Sequence, residues 1–531
     1  MGLGTDNSSS TAHEDSVGGH LLASFGRSAR SFATGTWTCL SRRVLRLAVT
    51  VPLIVLFLLY MFQPPRGFSD YQIDPLVENT QAASVVGDIP QSPPALDQAI
   101  IERISREAFI QDFLATDITG AYNGQSLYDL CQEQKWDESV IFECPPLEGG
   151  YGNVRQETLQ CLRMTIAVGG SMIMPQISIR NPNDISDFRT SDMAPFSYLF
   201  DEEHFKNTLA SYCPQLKIYD SLDSLSGYPS VDNPISLTPI DLPGLDKNDK
   251  VIAKPEQYPL AFGEWLKREN NPPKSHVRIA FTNRIIWTWP TSSDPPAFVR
   301  SFSSIIRPRL DIRLLAASAL YTLKQRYGLP ASVRPINGLQ RDTFVGVHLR
   351  VEADANKFGF TNYSLQADYF LRRLAELSAE VKAKGNGELV IYVASGDEEQ
   401  VARFAEQIAP LRVATKRELL DGGQLDALSW DQQALVDLLM LERSSYLMGV
   451  RESSFTWTLV LKRAAAVNWV VGGFPTGPCW VNGPKGEKRR RGCKEDLAPE
   501  EFWRDDLSVL VGPQTKPTTE SIDVVRSTIF P

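Results

Sequence analysis

The residues best suited to chemistry lie where one apolar stretch of the chain ends. The run Phe344–Leu349 is apolar apart from His348, and Arg350 follows it directly. Two carboxylates, Glu352 and Asp354, come next. Open α/β sheets bind their ligands at the carboxyl ends of buried strands, where an arginine can hold a pyrophosphate and stabilise it as a leaving group. A strand-end ion pair explains the same residues, so both interpretations stay open.

A glycine-rich turn, Glu148–Asn153, precedes a predicted helix over Val154–Val168. Gly150 and Gly152 within this turn allow the backbone to approach a phosphate or a sugar closely. The helix N-terminus behind them favours negative charge. A tight turn without a ligand explains these glycines equally well.

Ser453, Ser454 and Phe455 lie at the start of another predicted helix, which is apolar. Either serine is suited to cap that helix. The same geometry presents hydroxyl and free N–H groups to a phosphate, and Phe455 is available to stack on a base. Capping and ligand binding are compatible roles for this segment.

Other chemistries lack their motifs. The sequence contains no GxSxG elbow, no HExxH pair and no P-loop lysine motif. Five histidines and the lack of a DxD-type pair argue against a metal centre, so we expect metal-independent chemistry without a cofactor. The net charge of -9 argues against nucleic acid as a partner. The basic run 488–491 is either a solvated loop or a contact for an anionic ligand.

Alternating strand and helix patterns predict an α/β fold. Thr343–Leu349 and Leu389–Ala394 are short β-rich runs typical of buried parallel strands. The helical patterns Tyr363–Lys382 and Glu398–Ile408 follow them, which is a βαβ arrangement.

The domain boundaries follow from helix stops and composition. A predicted helix that ends at Gly328, two residues before Pro330, gives the main boundary. We expect an N-terminal Rossmann-like domain over residues 99–330, with an irregular insertion over 214–300, and a C-terminal domain over 331–531.

The N-terminal hundred residues predict a membrane anchor. Residues 1–43 are rich in Ser, Gly and Thr and predict a disordered cytosolic tail, whereas 44–63 are apolar and predict a transmembrane signal anchor. Arginines concentrated before this span place the N-terminus in the cytosol. The proline-rich segment 64–98 predicts a stem. A signal peptide is the rival interpretation, but no small-residue cleavage site follows. We therefore expect a single-pass type II protein of the Golgi membrane, with the ER membrane as the alternative.

Six cysteines follow the predicted span, an even number that suits disulfides in an oxidising compartment. Cys131–Cys144 and Cys479–Cys493 are plausible local pairs. The sequence alone does not fix the connectivity.

Several of these motifs together resemble those of the protein O-fucosyltransferase superfamily. The matching elements, in the family's order, are Gly150–Asn153, Phe200–Phe205, His348–Asp354, Ala394–Asp397 and Ser453–Thr456. They cover about residues 145–470. The resemblance implies a GT-B fold, with two Rossmann-like domains around a cleft, and transfer of fucose from GDP-fucose with inversion and without an obligatory metal.

The resemblance also implies roles for individual residues. Arg350 would bind the β-phosphate and assist its departure, whereas His348 and Asp354 would contact the guanosine diphosphate. The Ser453, Ser454 and Phe455 group would hold the phosphates and the donor. The glycine loop with Gly150, Gly152 and Asn153 would line the acceptor side, and Glu148 is the candidate general base.

We therefore predict a glycosyltransferase that moves fucose from GDP-fucose to a hydroxyl group of a glycoprotein or glycan. Two alternatives stay open: a transferase for another GDP-sugar, and a membrane-tethered protein that binds a nucleotide sugar or glycan without turnover. The acceptor, the strict donor specificity and the oligomeric state are not readable from the sequence.

Overall fold

A computed structural model describes residues 98–531, except for residues 182, 189, 191, 249, 331 and 386 and the segments 468–479, 483–487, 491–497 and 514–527. The predicted cytosolic tail and membrane anchor, nearly all of the stem, and Cys479 and Cys493 lie outside the described residues. Within the described part, no helix is both long and apolar enough to cross a bilayer.

The first sheet consists of five short strands that all run parallel. The strands in this part of the chain are β1 (Val140–Glu143), β2 (Ser171–Ile173), β3 (Ile177–Ser178), β4 (Met193–Ala194), β5 (Ile218–Tyr219), β6 (Ile235–Leu237), β7 (Lys247–Asn248), β8 (Val251–Ile252) and β9 (Val277–Phe281). The sheet has the order β5-β2-β1-β9-β6, and β3–β4 and β7–β8 form separate antiparallel pairs. Its central strand is the first in the chain, so connections wind outward to both edges.

The second sheet has six strands and the order β12-β11-β10-β13-β17-β16. The strands are β10 (Phe344–His348), β11 (Val390–Ala394), β12 (Arg412–Ala414), β13 (Tyr446–Val450), β14 (Trp480–Asn482), β15 (Lys488–Arg490), β16 (Glu501–Arg504) and β17 (Ser508–Val511). The five strands β12, β11, β10, β13 and β17 are parallel to one another. The edge strand β16 is antiparallel to its neighbour β17. Strands β14 and β15 form a separate hairpin. The predicted α/β class with parallel sheets is confirmed.

Helices connect and cover these strands. They are α1 (Gln98–Ala115), α2 (Gln125–Gln132), α3 (Tyr151–Val168), α4 (Glu202–Tyr212), α5 (Tyr258–Glu269), α6 (Pro296–Phe302), α7 (Leu310–Tyr327), α8 (Ala353–Lys357), α9 (Tyr363–Ala383), α10 (Glu398–Gln407), α11 (Lys416–Leu419), α12 (Gly422–Asp426), α13 (Trp430–Arg443) and α14 (Ser454–Ala466). Helix α7 packs on α13, and α3 packs on α14. One hydrophobic core therefore continues from the first sheet into the helices of the second. The predicted boundary near residue 330 stays a prediction.

The segment 214–300 is not the irregular insertion that its composition predicted. It supplies β5, β6 and β9, three of the five strands of the first sheet, and the helix α5. The strands β5 and β6 have only two and three residues and lie among Pro- and Asp-rich turns. Runs this short carry no recognisable alternation of apolar and polar residues.

The predicted disulfide Cys131–Cys144 is wrong. Cys131 pairs with Cys213 across 82 residues, and Cys144 pairs with Cys161 across 17 residues. Cys144 directly follows strand β1 and bonds to Cys161 on helix α3, whereas Cys131 on helix α2 bonds to Cys213 at the end of α4. Connectivity follows the packing of these elements and not their distance along the chain.

Residues 528–531 are buried against the helices of the first part of the chain. The guanidinium of Arg155 on α3 donates from Nη1 to the carbonyl oxygen of Phe530 at 3.0 Å. The amide of Gln156 donates to the carbonyl of Thr528 at 2.6 Å and accepts from the backbone N–H of Phe530 at 3.1 Å. The Phe530 ring packs against Phe302 with 5.0 Å between ring centroids.

Candidate functional site

A cavity of about 1120 Å³ lies at the carboxyl ends of strands β10, β11 and β13. Loops of the first part of the chain form the facing wall. Of the residues that the sequence predicted for a site, the cavity is lined by Gly150, Asn153, His348, Arg350, Asp354, Ser453, Ser454 and Phe455. Residues as far apart in sequence as Gly150 and Phe455 therefore meet at one place, as the rule for parallel sheets predicts.

Arg350 follows strand β10 and holds two carboxylates while it lines the cavity. Its Nη1 lies 2.5 Å from Glu352 Oε2, and its Nη2 lies 2.5 Å from Asp354 Oδ2. Burial lowers the pKa of the guanidinium, but the Glu352 and Asp354 carboxylates outweigh this effect and raise it. The ion pair that the sequence left open is present, and it coexists with access to the cavity.

Glu352 stays charged at neutral pH. Its carboxylate accepts from the backbone N–H of Gly396 at 2.6 Å and from Ser395 Oγ at 3.2 Å, besides the pair with Arg350. Burial alone would raise its pKa, but Arg350 and the Gly396 N–H lower it to about 2. This residue links the ends of β10 and β11, so it fixes where the guanidinium of Arg350 lies.

His348 presents a neutral ring to the cavity. Its Nδ1 lies 2.7 Å from the hydroxyl of Thr456, and its ring packs on Phe455 with centroids 4.7 Å apart. Burial lowers the pKa of this imidazole to about 4, because the charged ring is poorly solvated there. At neutral pH it can hydrogen-bond a ligand without adding positive charge.

Ser453 caps helix α14, and both serines lie at the wall of the cavity. The Ser453 side chain caps α14 by accepting from the backbone N–H of Thr456 at 3.4 Å. Ser453, Ser454 and Phe455 also line the cavity. The start of α14, where the first N–H groups have no acceptor within the helix, therefore borders the cavity that Arg350 also lines.

The glycine loop begins helix α3 and packs on the start of α14. A Cβ atom at Gly152 would lie 2.5 Å from the carbonyl carbon of Ser454, so only glycine permits this approach of the two backbones. Gly149 has a φ of 90°, a left-handed conformation that other residues rarely adopt. The loop thus brings Asn153 to the cavity wall that faces Arg350. Gly152 does not line the cavity, but it allows α3 and α14 to approach each other closely.

The predicted role of Glu148 as general base stays a prediction. Its side chain is half-buried and is not among the residues that line the cavity. Its backbone carbonyl accepts from Arg284 Nη2 at 2.8 Å.

Two charged residues of the site were not found from the sequence. Arg180, in the loop after β3, reaches across to the second sheet, where its Nη1 lies 3.1 Å from Asp354 Oδ2 and its Nε lies 3.2 Å from Asp431 Oδ1. Its guanidinium also lies over the ring of Trp430, 5.1 Å from the ring centroid. Arg180 follows no recognisable motif, whereas Asp431 lies in the first turn of helix α13.

A second polar group lies on the cavity side of strands β11 and β12. Lys416 Nζ lies 2.5 Å from Asp437 Oδ2, and the Tyr392 hydroxyl donates to Asp437 Oδ1 at 2.7 Å. Burial raises the pKa of Asp437 although Lys416 opposes the shift. A polar and aromatic end of the cavity is formed by Lys416, Asp437, Ser395, Gly396 and Trp430.

The chain matches no protein-family model and no curated protein sequence. Among solved structures, it is similar to POFUT1 in complex with GDP, at 14% identity over 62% of this chain and 96% of that chain, with a TM-score of 0.35. POFUT1 in complex with GDP-fucose gives 14% identity, 61% and 93% coverage and the same TM-score of 0.35. A FUT1 variant of Arabidopsis thaliana in complex with GDP gives 10% identity, 79% and 94% coverage and a TM-score of 0.32. These values are low, and the function proposed below rests on the site.

Proposed function

We propose that the cavity binds GDP-fucose and that the protein transfers the fucosyl group to a hydroxyl group of a glycoprotein or glycan acceptor. In this proposal the reaction inverts the configuration at the anomeric carbon and needs no metal. It takes place in the Golgi or the ER, where residues 44–63 anchor the protein in the membrane. The observation that carries the proposal is Arg350, an arginine at a strand end that lines a large cavity together with the N-terminus of helix α14.

The charges around Arg350 suit a diphosphate that leaves during the reaction. Its guanidinium has two carboxylate partners, so a diphosphate can replace one of them without leaving a buried charge unpaired. Asp354 keeps Arg180 as a partner when Arg350 turns to the phosphate. The arginine can then stabilise the negative charge that develops on the leaving diphosphate.

The remaining residues divide between the donor and the acceptor. Ser453 and Ser454, with the start of α14, hold the phosphates, and Phe455 and His348 pack against the donor. The polar end formed by Ser395, Lys416 and Trp430 receives the nucleoside. Asn153, on the facing wall, lines the acceptor side. The cavity is slightly larger than those that usually hold one small ligand, which fits two substrates.

Calorimetric titration of the full-length protein in detergent micelles tests the donor. We expect GDP and GDP-fucose to bind, UDP-glucose not to bind, and Arg350→Ala to weaken GDP by about 30- to 150-fold, because charge-assisted bonds worth about 2–3 kcal/mol are lost. Arg103→Ala, whose side chain is 81% exposed on α1, is the matched control and should bind GDP like the wild type.

The possible results separate the candidate functions. Preference for GDP-mannose over GDP-fucose would replace the donor and keep the site. Binding of GDP-fucose without any release of GDP would favour a non-catalytic binding protein. Binding of no nucleotide by a folded protein would overturn the proposal.

A further inference from the structure

The cavity contains one carboxylate whose bonding differs from that of the others. Seven carboxylate side chains line it among the described residues: Glu352, Asp354, Glu398, Glu418, Asp431, Asp437 and Glu452. Five of them accept hydrogen bonds at 3.1 Å or less, and Glu398 pairs closely with Arg417. Asp431 accepts no hydrogen bond from any described residue. Its carboxylate is therefore the one best placed to accept a proton from a substrate.

Asp431 is held in the cavity wall by its helix and by one arginine. It is the second residue of α13, directly after the capping residue Ser429 and Trp430. Arg180 Nε lies 3.2 Å from its Oδ1 but at an angle that does not make a hydrogen bond. The side chain is 9% exposed, and what is exposed faces the cavity.

A chain of alternating charges joins Asp431 to the proposed phosphate site. Arg350 pairs with Asp354 at 2.5 Å, and Asp354 pairs with Arg180 at 3.1 Å. Arg180 in turn pairs with Asp431, so two intervening side chains separate Asp431 from Arg350. Asp431 and Arg350 both line the cavity, so one ligand can contact both.

The surroundings of Asp431 tune its proton affinity. Burial and the neighbouring Asp354 raise its pKa, whereas Arg180 and Arg350 lower it, and the result is about 6. Tyr198, the other titratable group facing it, is hydrogen-bonded to Ser429 and its pKa is raised by burial, so it stays neutral. A base with a pKa just below neutral is mostly deprotonated at pH 7 and is still basic enough to accept a proton from the reacting hydroxyl.

We propose that Asp431 is the catalytic base of the proposed transfer, and that Arg180 is the residue that positions it. The acceptor hydroxyl gives its proton to the Asp431 carboxylate while its oxygen bonds to the anomeric carbon of fucose. The bond from that carbon to the diphosphate oxygen breaks, and its electron pair leaves with GDP beside Arg350. Asp431 then releases the proton to solvent. This inference rests on the proposed function and assigns the base that the sequence sought at Glu148.

The experiment follows GDP release from GDP-fucose across pH, with water as the acceptor. We expect the wild-type kcat to rise with pH through an apparent pKa near 6. Asp431→Asn should lower kcat by about 100-fold or more and remove this rise, with GDP affinity changed by less than about threefold. Asp431→Glu should retain part of the rate and the pH dependence.

Arg180→Gln distinguishes a base from a structural residue. It keeps the Asp431 carboxylate but removes a positive neighbour that lowers its pKa, so the acid limb should move to higher pH. A purely structural pair would instead lower the rate equally at all pH values. Asp426→Asn, an exposed aspartate of α12 that does not line the cavity, is the matched control and should leave the profile unchanged.

Each outcome decides the inference. An Asp431→Asn variant that folds and keeps a rate within tenfold of the wild type overturns it. So does a profile whose acid limb disappears with Glu148→Gln instead. Failure of the wild type to bind GDP-fucose or to release GDP contradicts the proposed function itself, which the titrations with Arg350→Ala detect separately.

Discussion

Two arginine–carboxylate pairs, in different parts of the molecule, show what a cavity changes. Arg163 on α3 donates to Asp294 from Nη2 at 2.6 Å, with both side chains almost fully buried. Trp289 donates to the same carboxylate at 3.0 Å, and its ring lies 4.2 Å from the guanidinium carbon. Arg350 is paired as closely, yet its side chain is 12% exposed and lines the cavity.

The difference lies in what surrounds each pair and not in its geometry. Arg163 is enclosed by Trp289, Phe298 and its single carboxylate, so no ligand can reach it. Arg350 pairs with two carboxylates and faces the cavity, so it can exchange one carboxylate for a ligand. A buried ion pair is therefore evidence for a binding site only where one of its members faces a cavity.

Removal of the enclosed arginine should have the largest effect on stability. Arg163→Ala leaves the Asp294 charge buried without a cation, and we expect the free energy of unfolding to fall by about 3–5 kcal/mol in urea denaturation. Arg350→Ala should cost less stability, because water and Arg180 reach the carboxylates it leaves. Equal losses in the two variants would contradict the distinction drawn between the two pairs.

A methyl group where the start of α3 contacts the start of α14 should weaken both ligand binding and stability. In Gly152→Ala the new Cβ would lie 2.5 Å from backbone of α14. We expect a loss of about 1–3 kcal/mol in unfolding free energy and weaker GDP binding by calorimetry. Gly263→Ala, inside α5 with nothing within 4 Å of the new Cβ, should instead stabilise the protein by up to about 1 kcal/mol. The idea fails if Gly152→Ala behaves like this control.

Acid should weaken the protein through His348. Its folded-state pKa of about 4 lies below the ordinary value of 6.5, so the unfolded chain binds a proton that the folded chain excludes between these pH values. Stability present at pH 6.5 is thus lost as pH falls. We expect this residue to account for about 1–2 kcal/mol between pH 6.5 and pH 5. Urea unfolding of His348→Asn should show a smaller pH dependence than the wild type, and an unchanged one would contradict this cause.

An exposed ion pair should matter least. Glu107 pairs with Arg103 one turn away on α1, with side chains 63% and 81% exposed. Solvent screens this pair, so Glu107→Gln should change the free energy of unfolding by no more than about 0.5 kcal/mol in the same urea assay. A larger loss would show that exposure does not rank these three pairs as proposed.

The sequence predicted the second sheet better than the first. Strand β10 was expected at Thr343–Leu349 and is found at Phe344–His348, because a continuous β-rich run leaves little choice of structure. The strands in 214–300 are too short to carry a pattern. Their place is set by pairing with β2 and β9, which no local window contains.

The candidate site follows the same division. Arg350, Asp354 and Ser453 lie at the ends of regular elements, where spacing relates residues to one another. Arg180 belongs to a loop, and its two carboxylate partners lie 174 and 251 residues further along the chain. Only the packing of the two sheets brings these residues together, so no local pattern could have identified Arg180.

The contacts of residues 528–531 with α3 can form only after nearly the whole chain has been synthesised. Arg155 meets its partner Phe530 across 375 residues of chain. At about 5–20 residues per second, that interval lasts roughly 20–75 s during synthesis. Throughout it, the Arg155 guanidinium and the Gln156 amide lack the carbonyl groups that satisfy them. Helix α3 is therefore synthesised early, but its hydrogen bonds to residues 528–531 are among the last to form.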